Sequence, residues 1–198
     1  MQLVQSENDI FTNYLRNEFD ELNSVYTQLV EAGTLTQDIM DEIFGYMMFM
    51  FMNGYQGCAY LLGETGRITP SNSEILDAFQ NGASGATVQE VVMKYAGENF
   101  ENAMSSIETV IRTEGHRMYV SGQIAYAKSQ SDEGMRVTKI WDTTMDGNER
   151  ETHRRLNGTE IGIDEYFETV NGRAKMPGQF GVGEEDCNCR CILTFNRY

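Results

Sequence analysis

The chain has 198 residues, enough for one sizeable domain or for a helical region followed by a small compact one. Its 40% hydrophobic and 23% charged residues place it among globular proteins and exclude a disordered chain. The net charge of −15 is uneven: residues 1–110 hold three basic side chains against sixteen acidic, residues 111–198 twelve against fourteen. An acidic first half repels phosphate, which argues against a general nucleic-acid-binding surface there.

Only two prolines interrupt the chain, so long helices are expected. Residues 7–32 repeat apolar side chains from Ile10 and Phe11 through Phe19 and Leu22 to Leu29 at three- and four-residue spacing, which predicts an amphipathic helix ended by Gly33. Thr36 caps a second helix running from Gln37 to about Leu62. Between Phe44 and Met52 its apolar residues go almost all the way round, so most of its sides must be covered. The same stretch is long enough to be tested as a membrane span. Asn53, Gln56, three glycines and acidic flanks without Lys or Arg argue for a buried helix, or for one covered by a partner subunit. A loop with Pro70, a short helix over 73–79, a loop over 82–85 and a helical pattern from Thr87 to Tyr95 follow. A long helix is predicted from about Asn99 to Ser129, with Phe100, Met104, Ile107, Ile111, Met118 and Ile124 on its apolar side.

After residue 130 the pattern changes. Residues 136–142 (Arg-Val-Thr-Lys-Ile-Trp-Asp) alternate polar and apolar and predict a strand. A turn and short helix over 146–156, a helix over 164–170, a glycine-rich loop over 172–183 and a closing strand over 190–195 complete the expectation. The fold class is therefore α+β: a mainly helical portion over 1–130, ending in the long helix that packs on the module, and a small mixed α+β module over 131–198.

Three of the four cysteines, Cys187, Cys189 and Cys191, sit within five residues. A Cys-x-Cys disulfide is strained, and Cys58 lies in an apolar helix, so a reducing compartment fits better than a secreted disulfide framework. Met1 to Asp9 has neither the basic start nor the apolar core of a signal peptide. Imidazole and thiolate are good Zn²⁺ ligands, which makes His153, Cys189 and Cys191 candidates for a metal site. As a nucleophilic triad with Asp146 they are weaker, because the cysteines lead into the apolar run Cys191-Ile192-Leu193. A two-metal hydrolase built on Asp142, Asp146 and His153 lacks further converging carboxylates. Trp141 reads as a core anchor and His116 as a surface residue. Arg154, Arg155, Arg173 and Lys175 give the module its local positive character, which serves either a solvated face or limited DNA contact.

The order Arg112-Thr113-Glu114, Trp141, Asp146, His153-x-x-Leu156-Asn157-Gly158, Asp164-Glu165-x-Phe167, Gly172, Pro177 and Cys189-Arg190-Cys191 resembles the phage Mu F-like head-morphogenesis family over about residues 105–195. The resemblance implies a minor capsid protein of a tailed phage or prophage, not an enzyme. Such a protein would associate with portal or capsid protein at the head interior or portal vertex, with the host cytoplasm as its place during assembly. It would act in head assembly, DNA packaging or ejection. The rival from another class is a metal-assisted hydrolase or toxin-like effector built on the same His/Asp/Cys module. Self-association through the Phe44–Met52 surface is a further expectation; a membrane is not.

Relatives of that family suggest a four-ligand site whose positions fall here on Arg150, His153, Asp186 and Cys189. An arginine does not bind a metal, so an Arg150–Asp186 ion pair is expected to replace part of the site, with His153 bonded across to the Cys189 segment. A variant keeps Zn²⁺ on His153, Asp186 and Cys189 with Cys191 or Cys187. Arg112 is expected to reach Asp142 or Asp146, and Glu114 to reach Arg150 or Arg154. These pairs would pin the long helix to a structural clasp of Trp141, Asp146, Arg150, His153, Asp186, Cys189 and Cys191.

Overall fold

A computed structural model describes residues 37–78 and 100–198. The helices expected over 7–32 and 87–95, and the loop over 82–85, lie outside the described residues. Helix α1 (Gln37–Leu61) buries Ile43, Met47, Met50, Phe51, Tyr55 and Cys58, recurring at three and four residues, with Leu62 buried just past its end, while Gly45, Phe49 and Tyr60 face outwards. No helix among the described residues is long and apolar enough to cross a membrane. A short helix α2 (Asn72–Asp77) opens with a capping box. The Ser71 hydroxyl accepts from the Glu74 amide at 3.3 Å, and the Glu74 carboxylate accepts from the Ser71 amide at 2.7 Å.

Helix α3 (Phe100–Asp132) is the axis of the molecule. From Gly115 to Gln123 it is buried on every side, because α1 covers one flank and a sheet covers the other. The α1 crossing is close enough to need glycine. A Cβ on Gly54 would fall 2.7 Å from the Tyr119 carbonyl carbon and nearer still to its oxygen. One on Gly122 would fall 2.7 Å from the Tyr55 amide and overlap the Phe51 carbonyl. The apolar run over 44–52 is therefore used largely inside the chain: Tyr46, Met47, Met50 and Phe51 are buried, and of the large side chains described there only Phe49 is exposed.

The sheet is antiparallel, in the order β2 (Glu160–Gly162), β1 (Val137–Asp142), β5 (Ile192–Arg197), with Trp141 opposite Leu193 and Lys139 opposite both Ile161 and Phe195. The free edge of β5 faces α3, and side chains finish it. Gln123 donates to the Leu193 carbonyl at 2.9 Å and accepts from the Leu193 amide at 3.3 Å, as a neighbouring strand would. His116 reaches the Cys191 carbonyl at 2.7 Å and is buried, contrary to the surface position expected for it. Its place is set by the strand carbonyl, a long-range partner that local pattern does not reveal. Burial lowers its pKa, so it packs there as a neutral ring.

Two further differences concern the module. Residues 164–170 form no helix; Phe167–Thr169 is a strand, β3, hairpinned to β4 (Gly172–Ala174) within the stretch expected to be loop. Phe, Thr and Val ahead of Asn171-Gly172 are the ordinary signal of a tight hairpin, and that signal outweighs the apolar spacing over 164–170. Short elements were also missed, β2 and the single-turn helix α5 (Gly183–Asp186), the latter after α4 (Glu151–Leu156).

Candidate functional site: a buried His–Cys–Glu cluster

Three elements bring the cluster together. Helix α4 turns His153 inwards and α5 supplies Glu185, while the segment leading into β5 supplies Cys189 and Cys191. Each of the four is at most 4% exposed. The His153 Nδ1 lies 3.7 Å from Cys189 Sγ and 3.4 Å from Cys191 Sγ. On the other side of the ring, Nε2 is 2.9 Å from Glu185 Oε2, at ion-pair distance though off the line of a good hydrogen bond. The ring is held edge-on by Trp141, with centroids 5.3 Å apart, and stacked by Phe180 at 6.1 Å.

Glu185 is fixed in turn. Its carboxylate accepts from Thr152 Oγ1 at 2.8 Å, Asn171 Nδ2 at 2.8 Å and Thr169 Oγ1 at 3.2 Å. Burial pushes its pKa up, but these bonds and the neighbouring His153 more than offset that and keep it below the ordinary range. The two thiols share a proton unequally. The hydrogen bond from Cys189 holds Cys191 low, with His153 and Thr143 helping, and the same bond together with burial pushes Cys189 up.

The wall behind this cluster is the Leu156-Asn157-Gly158 segment. Asn157 ends α4, and its Oδ1 accepts from the Thr143 amide at 2.9 Å. Gly158 takes a φ of +77°, which suits glycine, and its amide reaches the Trp141 carbonyl at 2.8 Å. Trp141 is completely buried, and its indole N–H donates to Thr143 Oγ1 at 3.1 Å. Thr143 donates onwards to the His153 carbonyl at 2.9 Å. The motif residues thus build the strand end, the helix end and the ring seat as one unit.

Asp186, Arg150, Asp146 and Glu114 take partners other than those expected. Asp186 accepts from the Phe180 and Gly181 amides at 2.9 and 2.7 Å, closing the loop before α5, so it makes no pair with Arg150 and stands outside the His153 cluster. Arg150 instead donates to the Cys187 carbonyl at 2.5 Å. Asp146 pairs with Arg190, which lowers its pKa, at an exposed position. Glu114 pairs with Arg117 one turn along α3 at 2.7 Å, because helical spacing favours i,i+3 partners over a long reach to Arg150 or Arg154. Arg117, which the sequence reading did not single out, also donates through Nε to the Gly178 carbonyl at 2.5 Å and so ties α3 to the module. Burial raises the Glu114 pKa against the pull of Arg117. Thr113 Oγ1, in the same turn, accepts from the Asn188 amide at 3.2 Å, and Arg112 beside it is half-buried. Among the basic residues, Arg154 is tied to Glu149 and Arg155 to Glu151, while Arg173 and Lys175 lie over the Tyr166 ring. Cys187 is exposed and all four cysteines are free.

Glu185 is the member of the cluster that sequence reasoning missed. The family resemblance points instead to its neighbour Asp186, and one residue of a helical turn separates inward from loop-facing.

The family described as Phage Mu protein F like protein matches residues 72–194, more than half of the chain. The chain belongs to that family. The match takes in α2, the long helix and nearly all of the module. Among known proteins, minor head protein GP7 of Bacillus phage SPP1 is 36% identical over 94 residues, covering 47% of this chain and 30% of that protein. The NAD(+)–arginine ADP-ribosyltransferase EFV of Enterococcus faecalis (strain ATCC 700802 / V583) is 28% identical over 211 aligned positions, covering 89% of this chain and 43% of that protein. The chain therefore spans less than half the length of either relative. No solved structure matches it.

Proposed function

We propose that this Mu F-like chain is a structural minor head protein of a tailed phage or prophage, placed in the virion by contact with portal or capsid protein. The observation that carries this reading is the closure of the motif cluster. Its His, Glu and Cys side chains are buried facing one another, and the cavity beside them has a volume of only about 20 Å³. A space of that size holds a water and no organic substrate. The motif residues thus serve to fasten α4, α5 and β5 together. Membership of a family that includes a minor head protein among its relatives points the same way. Roles in head assembly, packaging or ejection, and the portal as the partner, follow as parts of the same proposal.

The test is biochemical. The tagged chain, co-expressed with the head genes of the genome that carries it, should sediment with assembled heads and co-purify with the portal ring. A chain that stays in the soluble fraction and ignores both portal and coat protein overturns the reading.

The similarity to a named transferase supports a second reading, in which this chain takes part in ADP-ribosyl transfer to arginine. A groove of about 460 Å³ between the end of α3 and the loops of the module is large enough for a nucleotide. Its lining includes Glu74, Asp77, Asp132 and Asp164 against Lys128 and Lys175, an acidic balance that repels a pyrophosphate. Incubation of the chain with labelled NAD(+) and an arginine-rich acceptor separates the two readings: the structural one expects no label on the acceptor.

A further inference from the structure

We propose that His153 Nδ1, Cys189 Sγ and Cys191 Sγ bind one zinc ion, with Glu185 as the outer carboxylate on the histidine and a single water as the fourth ligand. The three donor atoms lie within 4.8 Å of one another, and no other group of three His, Cys, Asp or Glu residues among those described does so. Tetrahedral zinc, with bonds of about 2.05 Å to nitrogen and 2.3 Å to sulfur, sets nitrogen and sulfur roughly 3.6 Å apart. The two observed separations, 3.7 and 3.4 Å, straddle that value.

A hydrogen-bonded clasp explains this geometry less well. Nδ1 has either one lone pair or one proton, so it serves one sulfur at a time, yet both sulfurs crowd it at nearly equal distance. An ion on the bisector serves both. Glu185, 2.9 Å from Nε2 though off the line of a good hydrogen bond, favours the proton on Nε2 by its charge and so leaves the Nδ1 lone pair for the sulfurs. Its three hydrogen bonds, to Thr152, Thr169 and Asn171, make it the kind of built outer partner that metal-bound histidines have. Charge balance agrees, since Zn²⁺ cancels two thiolates in a site closed to solvent.

The fourth position opens onto the small cavity that His153 and Cys191 line together with Asn148, Arg150, Asn188 and Arg190. One water fits there, between polar groups able to hold it. The site thus differs from the ligand set expected from sequence: Asp186 is replaced by solvent, and the nearby carboxylate acts through the histidine.

The experiment uses the full chain, purified in zinc-containing buffer, dialysed against chelator-treated buffer and analysed by elemental mass spectrometry. One zinc per chain is expected. Cobalt(II) replacing it should give the intense near-ultraviolet thiolate-to-cobalt band and the visible bands of a tetrahedral site. Cys189→Ser and Cys191→Ser should each lose the ion, whereas Cys187→Ser should keep it. Glu185→Gln should weaken affinity about 10- to 100-fold. The wild-type measurement keeps the test decisive even if a cysteine variant fails to fold. Wild-type chain without stoichiometric zinc and without a cobalt–thiolate band overturns the proposal, as does equal loss of metal from Cys187→Ser. None of these outcomes depends on whether the chain enters a phage head.

Discussion

Two helices that meet at glycine give a sharp test of the α1–α3 packing. Gly54→Ala places a methyl group where the Tyr119 carbonyl already stands, and Gly122→Ala does the same at Phe51. Carbon and carbonyl oxygen need more than 3 Å, so the helices must part by about an ångström or one must shift along the other. Overpacking of this kind costs about 1–3 kcal/mol, and here the obstacle is backbone on both sides, so the upper end applies. Alanine recovers roughly 1 kcal/mol of helix propensity. The net loss is about 2 kcal/mol for each substitution. Gly45 lies on the same helix with nothing within 4 Å of its Cβ position, so Gly45→Ala keeps the propensity gain without the clash and should stabilise by roughly 0.5–1 kcal/mol. Urea denaturation followed by circular dichroism measures all three. The reasoning fails if Gly54→Ala proves as stable as Gly45→Ala, because the glycine contact would then not set the interhelical distance.

The charge pair on α3 should be dearer to break than to delete. Arg117→Met leaves Glu114 buried and unpaired at a cost of about 3–5 kcal/mol, and the Glu114→Leu/Arg117→Met double change should cost less in the same denaturation assay. Gln123→Leu removes both bonds that finish the β5 edge and should cost roughly 2 kcal/mol, with faster hydrogen exchange at Leu193 than at Trp141 as its signature. Lys139, buried with Nζ on the Ile163 and Glu165 carbonyls, has its pKa pushed down to about 8 by burial and by Lys175. Between pH 8 and 10.5 the unfolded chain therefore holds more protons, so this group adds stability as pH rises, by roughly 3 kcal/mol, and Lys139→Met should flatten that rise in a pH series. Truncation to residues 131–198 removes α3 and should give a chain without a cooperative transition, whereas a well-resolved two-state melt of that piece would show the module to be self-sufficient.

Much of the framework was legible from periodicity. The long helices α1 and α3, strand β1 and strand β5 follow from apolar spacing sustained over many residues, which tertiary context rarely overrides. The three-residue strand Glu160–Gly162 and the single turn Gly183–Asp186 are too short to carry a period, and they were missed for that reason. His153, Cys189 and Cys191 were legible as a group because sequence order brings thiols and imidazole into one small module. Their carboxylate was not. Glu184, Glu185 and Asp186 are three acids in a row, and only the phase of one helical turn decides which faces the histidine. Likewise Arg117 carries no mark in sequence that separates it from Arg112, since its role comes from the Gly178 carbonyl brought up by a distant loop.

The low average hydrophobicity of α3 then has a physical reason. A helix buried on both flanks would ordinarily be apolar all round, yet this one keeps Thr113, Glu114, His116, Arg117 and Gln123 on the side of the module. Each of these but Glu114 reaches a main-chain group outside the helix: the Asn188 amide, the Cys191 carbonyl, the Gly178 carbonyl and the Leu193 edge. Glu114 neutralises the arginine among them. Main-chain groups on irregular loops and at a sheet edge must be satisfied when water is excluded. A small module with one three-stranded sheet has too few elements of its own to do it. The polar face of α3 supplies what is missing, and the ends of the sequence motif, Thr113 beside Arg112 and Glu114 at one extreme and Cys189-Arg190-Cys191 at the other, meet along that face. The motif therefore spans helix and module because neither side closes without the other.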